Sequence, residues 1–341
     1  MSDFFRNLAD EIKDIDSSIL ADGENAAEFT GYIDTGCYML NAVLSGSIYG
    51  GVPNNKVTAF AGEPATGKTF FVLSAVRQFL DANPQSGVVY YDTEAAVTKQ
   101  MMEDRGIDVK RVILAEPETI ESFRTHSLKF LDKYMAAVGK DEDRPPMMMV
   151  LDSLGMMSTN KEMQDSHDGK DVRDMTKAQV IKGTFRTLTL KLARAKVPLL
   201  ITNHIYQVVG SYVPTQDMGG GSGLKYAAST IAFLSKKKVK EGTDIVGNII
   251  KVKMNKSRLS KENAQVELLL DYKSGLSKWH GMLEFAESKG IVEKSGARYK
   301  FPEEVASVFA KNVYQKPEEY FTESIMEKIE EAVQQEFKYG Q

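Results

Sequence analysis

Apolar residues recur along this chain with two periods, and the period changes where glycine and proline fall. Near the start, Phe4 or Phe5, Leu8, Ile12, Ile15 and Ile19 share one helical stripe, with Asp3, Asp10, Glu11, Lys13 and Asp14 largely elsewhere. This predicts an amphipathic helix ending near Asp22-Gly23. The stripe either packs on its own domain or forms an arm docking on a neighbouring subunit. A short helix is predicted over Cys37–Leu44, and a strand over Val57–Ala61. Phe70–Leu80 has helical spacing and stops at Asn83-Pro84. Val88–Glu94 and Met147–Ser153 read as apolar strands ending in acids, the second entered through Pro145-Pro146, which cannot lie inside a helix. Residues 176–195 place Ile181, Phe185, Leu188 and Leu192 on one helical face. Val197–His204 is another apolar strand, with Pro198 tolerated at its start. Thr230–Ser235, Asn248–Val252 and Val266–Leu270 read as strands, the first two joined by the basic run 236–240. Phe321, Ile325, Ile329 and Val333 mark a final helix. Strands alternating with helices predict an α/β fold whose mostly parallel sheet is flanked by helices.

One stretch between the first core strand and its helix carries chemistry. Gly62-Glu63-Pro64-Ala65-Thr66-Gly67-Lys68-Thr69 fits G-x-x-x-x-G-K-[ST], in the strand–loop–helix context that a phosphate loop requires. The glycines permit a turn whose backbone N–H groups face a phosphate, and the helix N-terminus adds partial positive charge. Lys68 can reach β- and γ-phosphates, and the Thr69 hydroxyl can hold Mg²⁺. Asp152 closes an apolar strand downstream, where the magnesium-side carboxylate is expected. Glu94 is a candidate base for activating water, or an ordinary acidic turn. A second glycine-rich stretch, 207–223, lacks G-x-G-x-x-G spacing and opens no βαβ unit, which excludes a dinucleotide reading.

Composition narrows the classes. The chain has 341 residues, 42% hydrophobic, enough for one large core and a smaller appendage. Its net charge of −4 announces no global affinity for nucleic acid. Cys37 is the single cysteine, so no internal disulfide forms, which predicts a reducing cytoplasm. The first residues lack a basic segment followed by an apolar run, so no secretory leader is expected, and no apolar run approaches a membrane span. Charge is uneven: residues 301–341 hold nine glutamates against four lysines. Residues 156–177 are polar and mixed in charge, as a functional loop would be.

These residues together resemble the RecA family of strand-exchange ATPases, most similar to its phage branch. The resemblance runs from about Ile33 to about Tyr299. It rests on Ile33-Asp34-Thr35-Gly36, the glycine-rich 46–53, the phosphate loop, Tyr91-Asp92-Thr93-Glu94 and Leu151-Asp152-Ser153. Asp165-Ser166-His167 with Gly169, Thr202-Asn203-His204 and the run Gly220–Tyr226 complete it. It implies a RecA-like core over 31–280, an N-terminal oligomerisation arm over 1–30, and a small C-terminal domain with an acidic helix over 281–341. It implies ATP with Mg²⁺ on Thr69 and Asp152. Catalytic roles fall to Lys68, Glu94, the γ-phosphate sensor His204, and the cations Lys256 and Arg258 offered to a neighbour's ATP. His280 joins the nucleotide-binding residues. Two DNA-binding loops, about 156–177 and 205–223, would use Gly169, Arg173, Lys177, Val209, Gly210, Gly220, Gly221, Ser222 and Lys225. The chain departs from the family at Met254, where a lysine is expected, leaving Arg258 as the second cation. It also has His204 where cellular members carry glutamine. Its first loop is not basic, with four Lys and Arg against five acids over 156–177, so phosphate contacts would also fall to backbone amides.

The implied activity is an ATP-dependent recombinase. It would form a helical homo-oligomer on single-stranded DNA and pair it with homologous duplex, aided by single-strand-binding and loading proteins, in the host cytoplasm if phage-encoded. Two other readings share the phosphate loop: a ring ATPase of helicase type, and a non-catalytic mediator switched by nucleotide.

Overall fold

The computed structural model describes residues 31–137, 144–170, 174–207, 216–242, 244–302 and 306–340, with Asn7, Glu11, Ala27 and Glu28. Apart from those four, the expected arm over 1–30 lies outside the described residues, as do Arg173, Val209 and Gly210.

Strands β1 (Tyr32–Ile33) and β2 (Val52–Pro53) pair around helix α1 (Tyr38–Ser45). Then come β3 (Val57–Gly62), α2 (Lys68–Ala82), β4 (Gly87–Asp92), α3 (Lys99–Glu103), β5 (Val112–Ala115), α4 (Ile120–Ala136) and β6 (Met147–Asp152). Helices α5 (Asn160–His167) and α6 (Lys177–Arg194) precede β7 (Leu199–Gln207), β8 (Gln216–Met218) and α7 (Ser222–Ala227). The chain continues through β9 (Thr230–Glu241), β10 (Asp244–Ser257), β11 (Gln265–Asp271) and β12 (Gly275–Leu276).

Among the described residues the main sheet runs β12-β11-β10-β9-β3-β7-β6-β4-β5, with β8 beside β7. From β9 to β5 every pairing is parallel, and β10, β11 and β12 extend it antiparallel. The parallel strands are apolar on both faces because helices cover both. Alternation divides them: Tyr90, Met148 and Val150 enter one buried cluster with Phe71 and Val76 of α2. Val89, Tyr91, Met149 and Leu151 enter the other with Phe123 of α4 and Phe185 and Leu188 of α6. Each such side chain contributes roughly 1.5–3 kcal/mol by leaving water.

Helix α2 buries Phe71, Val72, Ala75, Val76, Phe79 and Leu80. It ends because Asn83, preceding Pro84, is extended at φ −142°, the region that a following proline favours.

Beyond β12 come α8 (Met282–Ser288), the antiparallel strands β13 (Glu293–Ser295), β14 (Arg298–Lys300) and β15 (Val308–Phe309), and helices α9 (Ala310–Gln315), α10 (Pro317–Tyr320) and α11 (Glu323–Phe337). Ile325, Ile329, Val333 and Phe337 of α11 share a buried cluster with Leu40 and Leu44 of α1 and Ile250 of β10.

Three local expectations are corrected. The basic run 236–240 is no link but the outer half of β9, and β9 and β10 form one long hairpin. The lysines sit in a strand because its outer half is open to solvent, with Lys236, Lys237 and Lys238 exposed. Lys256 likewise lies inside β10, beside a register shift at Met254/Lys256, and not on a polar link. Finally, the stretch 156–177 contains α5. Its signal was Thr159-Asn160-Lys161-Glu162: Thr159 Oγ1 accepts from Glu162 N and Glu162 Oε2 accepts from Thr159 N, a capping box.

Candidate active site

The parallel register assembles the site at the carboxyl ends of β3, β4, β6 and β7. Gly62 lies beside His204, and Asp92 beside Asp152. This is the edge where ligands bind in open α/β sheets. A cleft of about 380 Å³ there is lined by the phosphate loop, Glu94, Asp152 and His204.

Gly67 turns the chain into α2 at φ +85°, a left-handed conformation, and a Cβ there would come within 2.7 Å of Leu270. Two ammonium groups hold the preceding carbonyls. Lys68 Nζ donates to the Gly62 and Glu63 carbonyls, both at 3.1 Å. Lys236, reaching over from β9, donates to the Pro64 and Ala65 carbonyls at 3.1 and 3.0 Å. With four successive carbonyls engaged, the loop is held in one shape. Burial lowers the Lys68 pKa, and the Lys236 charge adds to this; Glu94 and Asp152 oppose it.

Asp152 is buried and takes a hydrogen bond from Thr69 Oγ1 at 2.8 Å. The Asp152–Ser153 peptide is cis. Asp92 does not face a ligand: its carboxylate accepts from Glu94 N and Val97 N at 3.0 and 2.9 Å, shaping the turn after β4. That turn presents Glu94, whose Oε1 takes the Ser153 hydroxyl and lies 3.1 Å from His204 Nε2. Burial works against the Glu94 charge, yet Ser153, His204 and Lys68 prevail and hold its pKa below the usual carboxylate value. A carboxylate kept ionised near the lysine of a phosphate-loop motif is suited to accept a proton or orient water.

The donor set fits a hard cation. Thr69 and Asp152 offer oxygen donors, and among the described residues no group of three or more His, Cys, Asp or Glu could cage a metal. Magnesium, which keeps waters and phosphate oxygens, suits one carboxylate and one hydroxyl.

Not every expected residue converges here. His280 does not line the cleft. It stacks on Tyr314 with centroids 5.8 Å apart, and burial lowers its pKa. Lys256 is in register with Ile231, and Ile231 with Ala59. It therefore sits three residues, about 10 Å, before the strand end bearing the phosphate loop. Its Nζ donates to the Lys225 carbonyl at 2.5 Å. Burial, then the Arg258 charge, lower its pKa. Met254 is fully buried and could not offer a cation at a surface.

The loop residues gather on the neighbouring strand ends. Asn203 Nδ2 donates to the Gly219 carbonyl at 2.7 Å, and Gly219 N to the His204 carbonyl at 3.0 Å, so β7 ties the cleft to the glycine run. Gly220 (φ +89°) and Gly221 (φ +65°) pack against Ile181 and Ala178 of α6, and Ser222 opens α7. Gly169 stands at φ +68° with open space around it. Lys177 pairs with Glu162 at 3.0 Å and Lys225 with Asp217 at 2.6 Å.

Several residues at the site escaped the sequence reading. Phe70, Met101, Asn248 and Tyr272 also line the cleft. Tyr272 is exposed and its OH accepts from Asn248 Nδ2 at 3.2 Å. Tyr272 follows the β11 strand signal directly, but only sheet pairing brings Asn248 beside it. Lys236 was hidden because a lysine in a basic run carries no signature of what it caps.

A family profile of the RecA N-terminal domain matches residues 8–277. The chain belongs to the RecA family. It is 30% identical over 256 residues to the "Recombination and repair protein" of Enterobacteria phage T4, covering 75% of this chain and 63% of that protein's length. It is 27% identical over 290 residues to "Protein RecA" of Streptomyces coelicolor, covering 83% of this chain and 72% of that protein. With "Protein RecA" of Francisella philomiragia it shares 29% identity over 321 residues, 91% of this chain and 81% of that protein. RecA-family membership implies nucleotide binding, in keeping with the loop at Gly62–Thr69. Among the described residues no helix is long and apolar enough to cross a membrane.

Proposed function

We propose that this RecA-family chain is a DNA-dependent ATPase that forms helical filaments on single-stranded DNA and pairs it with a homologous duplex. The observation that carries the reading is the convergence of Lys68, Thr69, Asp152, Glu94 and His204 in one cleft. The cleft is connected through Asn203 to Gly219 and the second candidate DNA loop. In this reading the loop residues Gly62, Glu63, Pro64, Ala65, Thr66, Gly67, Lys68 and Thr69 hold the ATP phosphates, and Thr69 with Asp152 holds Mg²⁺. Bound Mg²⁺ supplies charge neutralisation on phosphate oxygens. Glu94 orients the attacking water. His204, hydrogen-bonded to Glu94, senses the end of the phosphate chain and transmits its presence along β7 to the glycine run. Gly169, Arg173, Lys177, Val209, Gly210, Gly220, Gly221, Ser222 and Lys225 meet DNA, which requires Lys177 and Lys225 to exchange their carboxylate partners for phosphates. Lys256 and Arg258, remote from their own loop, serve a neighbour's nucleotide. Residues 1–30 form the arm. Residues 31–280 form the nucleotide core, and 281–341 a small C-terminal domain that shares an apolar cluster with that core. A cytoplasmic setting and the help of single-strand-binding and loading proteins belong to the same reading.

The test is the ATPase rate with and without single-stranded DNA. Stimulated turnover is expected in the native chain and a collapse in Lys68→Ala, since positioning and electrostatics supply nearly all of this catalysis. Near-normal turnover in Lys68→Ala overturns the site. Closed rings in electron micrographs with DNA would favour the ring ATPase.

A further inference from the structure

Two hydroxyl groups hold the site's carboxylate that no phosphate-loop pattern calls for. Tyr90 is fully buried on β4, one strand from Asp152, and its OH donates to Asp152 Oδ2 at 2.8 Å. Thr202, fully buried on β7 on the other side of β6, donates its hydroxyl to Oδ1. Thr69 at the start of α2 donates to Oδ2. The Asp152 carboxylate thus takes O–H donors from three separate elements, two of them out of reach of solvent.

The arrangement has a direction. Tyr90 and Thr202 come from the strands on either side of β6, so they fix the carboxyl plane. Oδ2 is left facing Thr69, the other oxygen ligand at this position. A carboxylate left to rotate would spend part of its time turned away, and each donor lost would leave a buried charge less compensated. Groups that orient a metal ligand in this way commonly change metal affinity about 10–100-fold when removed.

We propose that Tyr90 and Thr202 are positioning residues for Asp152, setting the site's affinity for the divalent cation that accompanies the nucleotide. The inference rests on the reading of this cleft as a magnesium–nucleotide site. A merely structural role, two polar groups satisfied in the core, would change stability and leave the metal dependence alone.

The experiment uses the full chain and a fluorescent, slowly hydrolysed ATP analogue, titrated with MgCl₂ so that no turnover is read. In Tyr90→Phe and Thr202→Val the half-saturating Mg²⁺ concentration should rise about 10–100-fold. Binding of the analogue in EDTA should be unchanged, and Thr202→Ser should restore the native curve. Native Mg²⁺ dependence in folded Tyr90→Phe and Thr202→Val overturns the proposal. If Tyr90→Phe does not fold, the Thr202→Val and Thr202→Ser pair decides it alone. If the native chain binds the analogue without regard to Mg²⁺, the magnesium part of the reading falls and this inference with it; if it does not bind the analogue at all, the nucleotide reading falls. If only the variants behave as native, the reading stands and the inference falls.

Discussion

At the scale of single residues, the charge state of Glu94 is set by neighbours more than by its own burial. Its carboxylate is a third exposed, and its pKa is lowered because the Ser153 hydroxyl, His204 and Lys68 outweigh the cost of burial. The bound form that Ser153 favours is the anion. Removing that donor raises the Glu94 pKa, so a larger fraction is protonated at any acidic pH. In Ser153→Ala the acidic limb of the DNA-stimulated rate profile should therefore move to higher pH, with the plateau near neutrality little changed. A pH–rate series on both proteins checks this; coincident limbs would remove Ser153 from any role in tuning the base. His204 bonds the same oxygen, so Ser153→Ala leaves one partner in place and the shift is partial. This coupling was legible only in part. Glu94 stood out as an acid at a strand end, whereas Ser153 and Glu94 are 59 positions apart and meet only because β4 and β6 pair in register.

At the scale of elements, the β9–β10 hairpin does more than extend the sheet. Its inward residues Leu234, Ile250 and Val252 enter the core. One position farther along the same face, Lys236 closes on the phosphate-loop carbonyls. Lys236→Ala should weaken nucleotide binding about two- to fivefold, the effect of roughly 0.5–1 kcal/mol for charge-assisted hydrogen bonds at an exposed position. Lys236→Arg should recover part of it. Equilibrium binding of a fluorescent nucleotide measures both, and equal affinity in all three proteins would leave Lys236 a surface cation. The helices were the easier elements to read. Apolar residues at helical spacing and a terminating Asn83-Pro84 locate α2 without any tertiary knowledge. Hairpin strands with lysines on both faces were harder, because solvent exposure at their outer ends erases the apolar signal that marks a strand.

At the scale of the whole molecule, the cations Lys256 and Arg258 and the phosphate loop occupy different ends of the sheet. Within one subunit they do not meet, and Lys256 is anchored on the last turn of α7. If a neighbour's loop receives them, complementation follows. Lys256→Ala/Arg258→Ala protein mixed with Lys68→Ala protein should recover partial DNA-stimulated turnover, since some interfaces pair an intact loop with intact cations. An arginine finger supplies a factor of roughly 10³–10⁵ in rate, so even a minority of intact interfaces should be visible above either parent. Normal assembly with no recovered activity at any mixing ratio refutes the in-trans role. The acidic end of the chain also has a structural part: Glu330 on α11 accepts from the Ile48 N–H at 2.8 Å. That carboxylate is therefore committed to the core next to α1 and is not one of the exposed acids.

The sequence by itself determined the fold class, the phosphate loop and the identities of Lys68, Thr69, Glu94 and Asp152. Those signals are local: periodicity, glycine spacing and the residue that ends a strand depend on a few neighbours along the chain. What only the tertiary structure decided is who holds those residues in place. Tyr90, Thr202, Ser153 and Lys236 act on the site across 50 to 172 positions of sequence. Tyr90 and Lys236 carry no local mark, since a tyrosine inside an apolar strand reads as core until the strand order sets it beside Asp152; Ser153 and Thr202 fall in strand-end motifs that do not tell which carboxylate each one holds. The same holds for Lys256, whose distance from its own phosphate loop follows from the register β10–β9–β3, a long-range pairing that no short window of residues encodes.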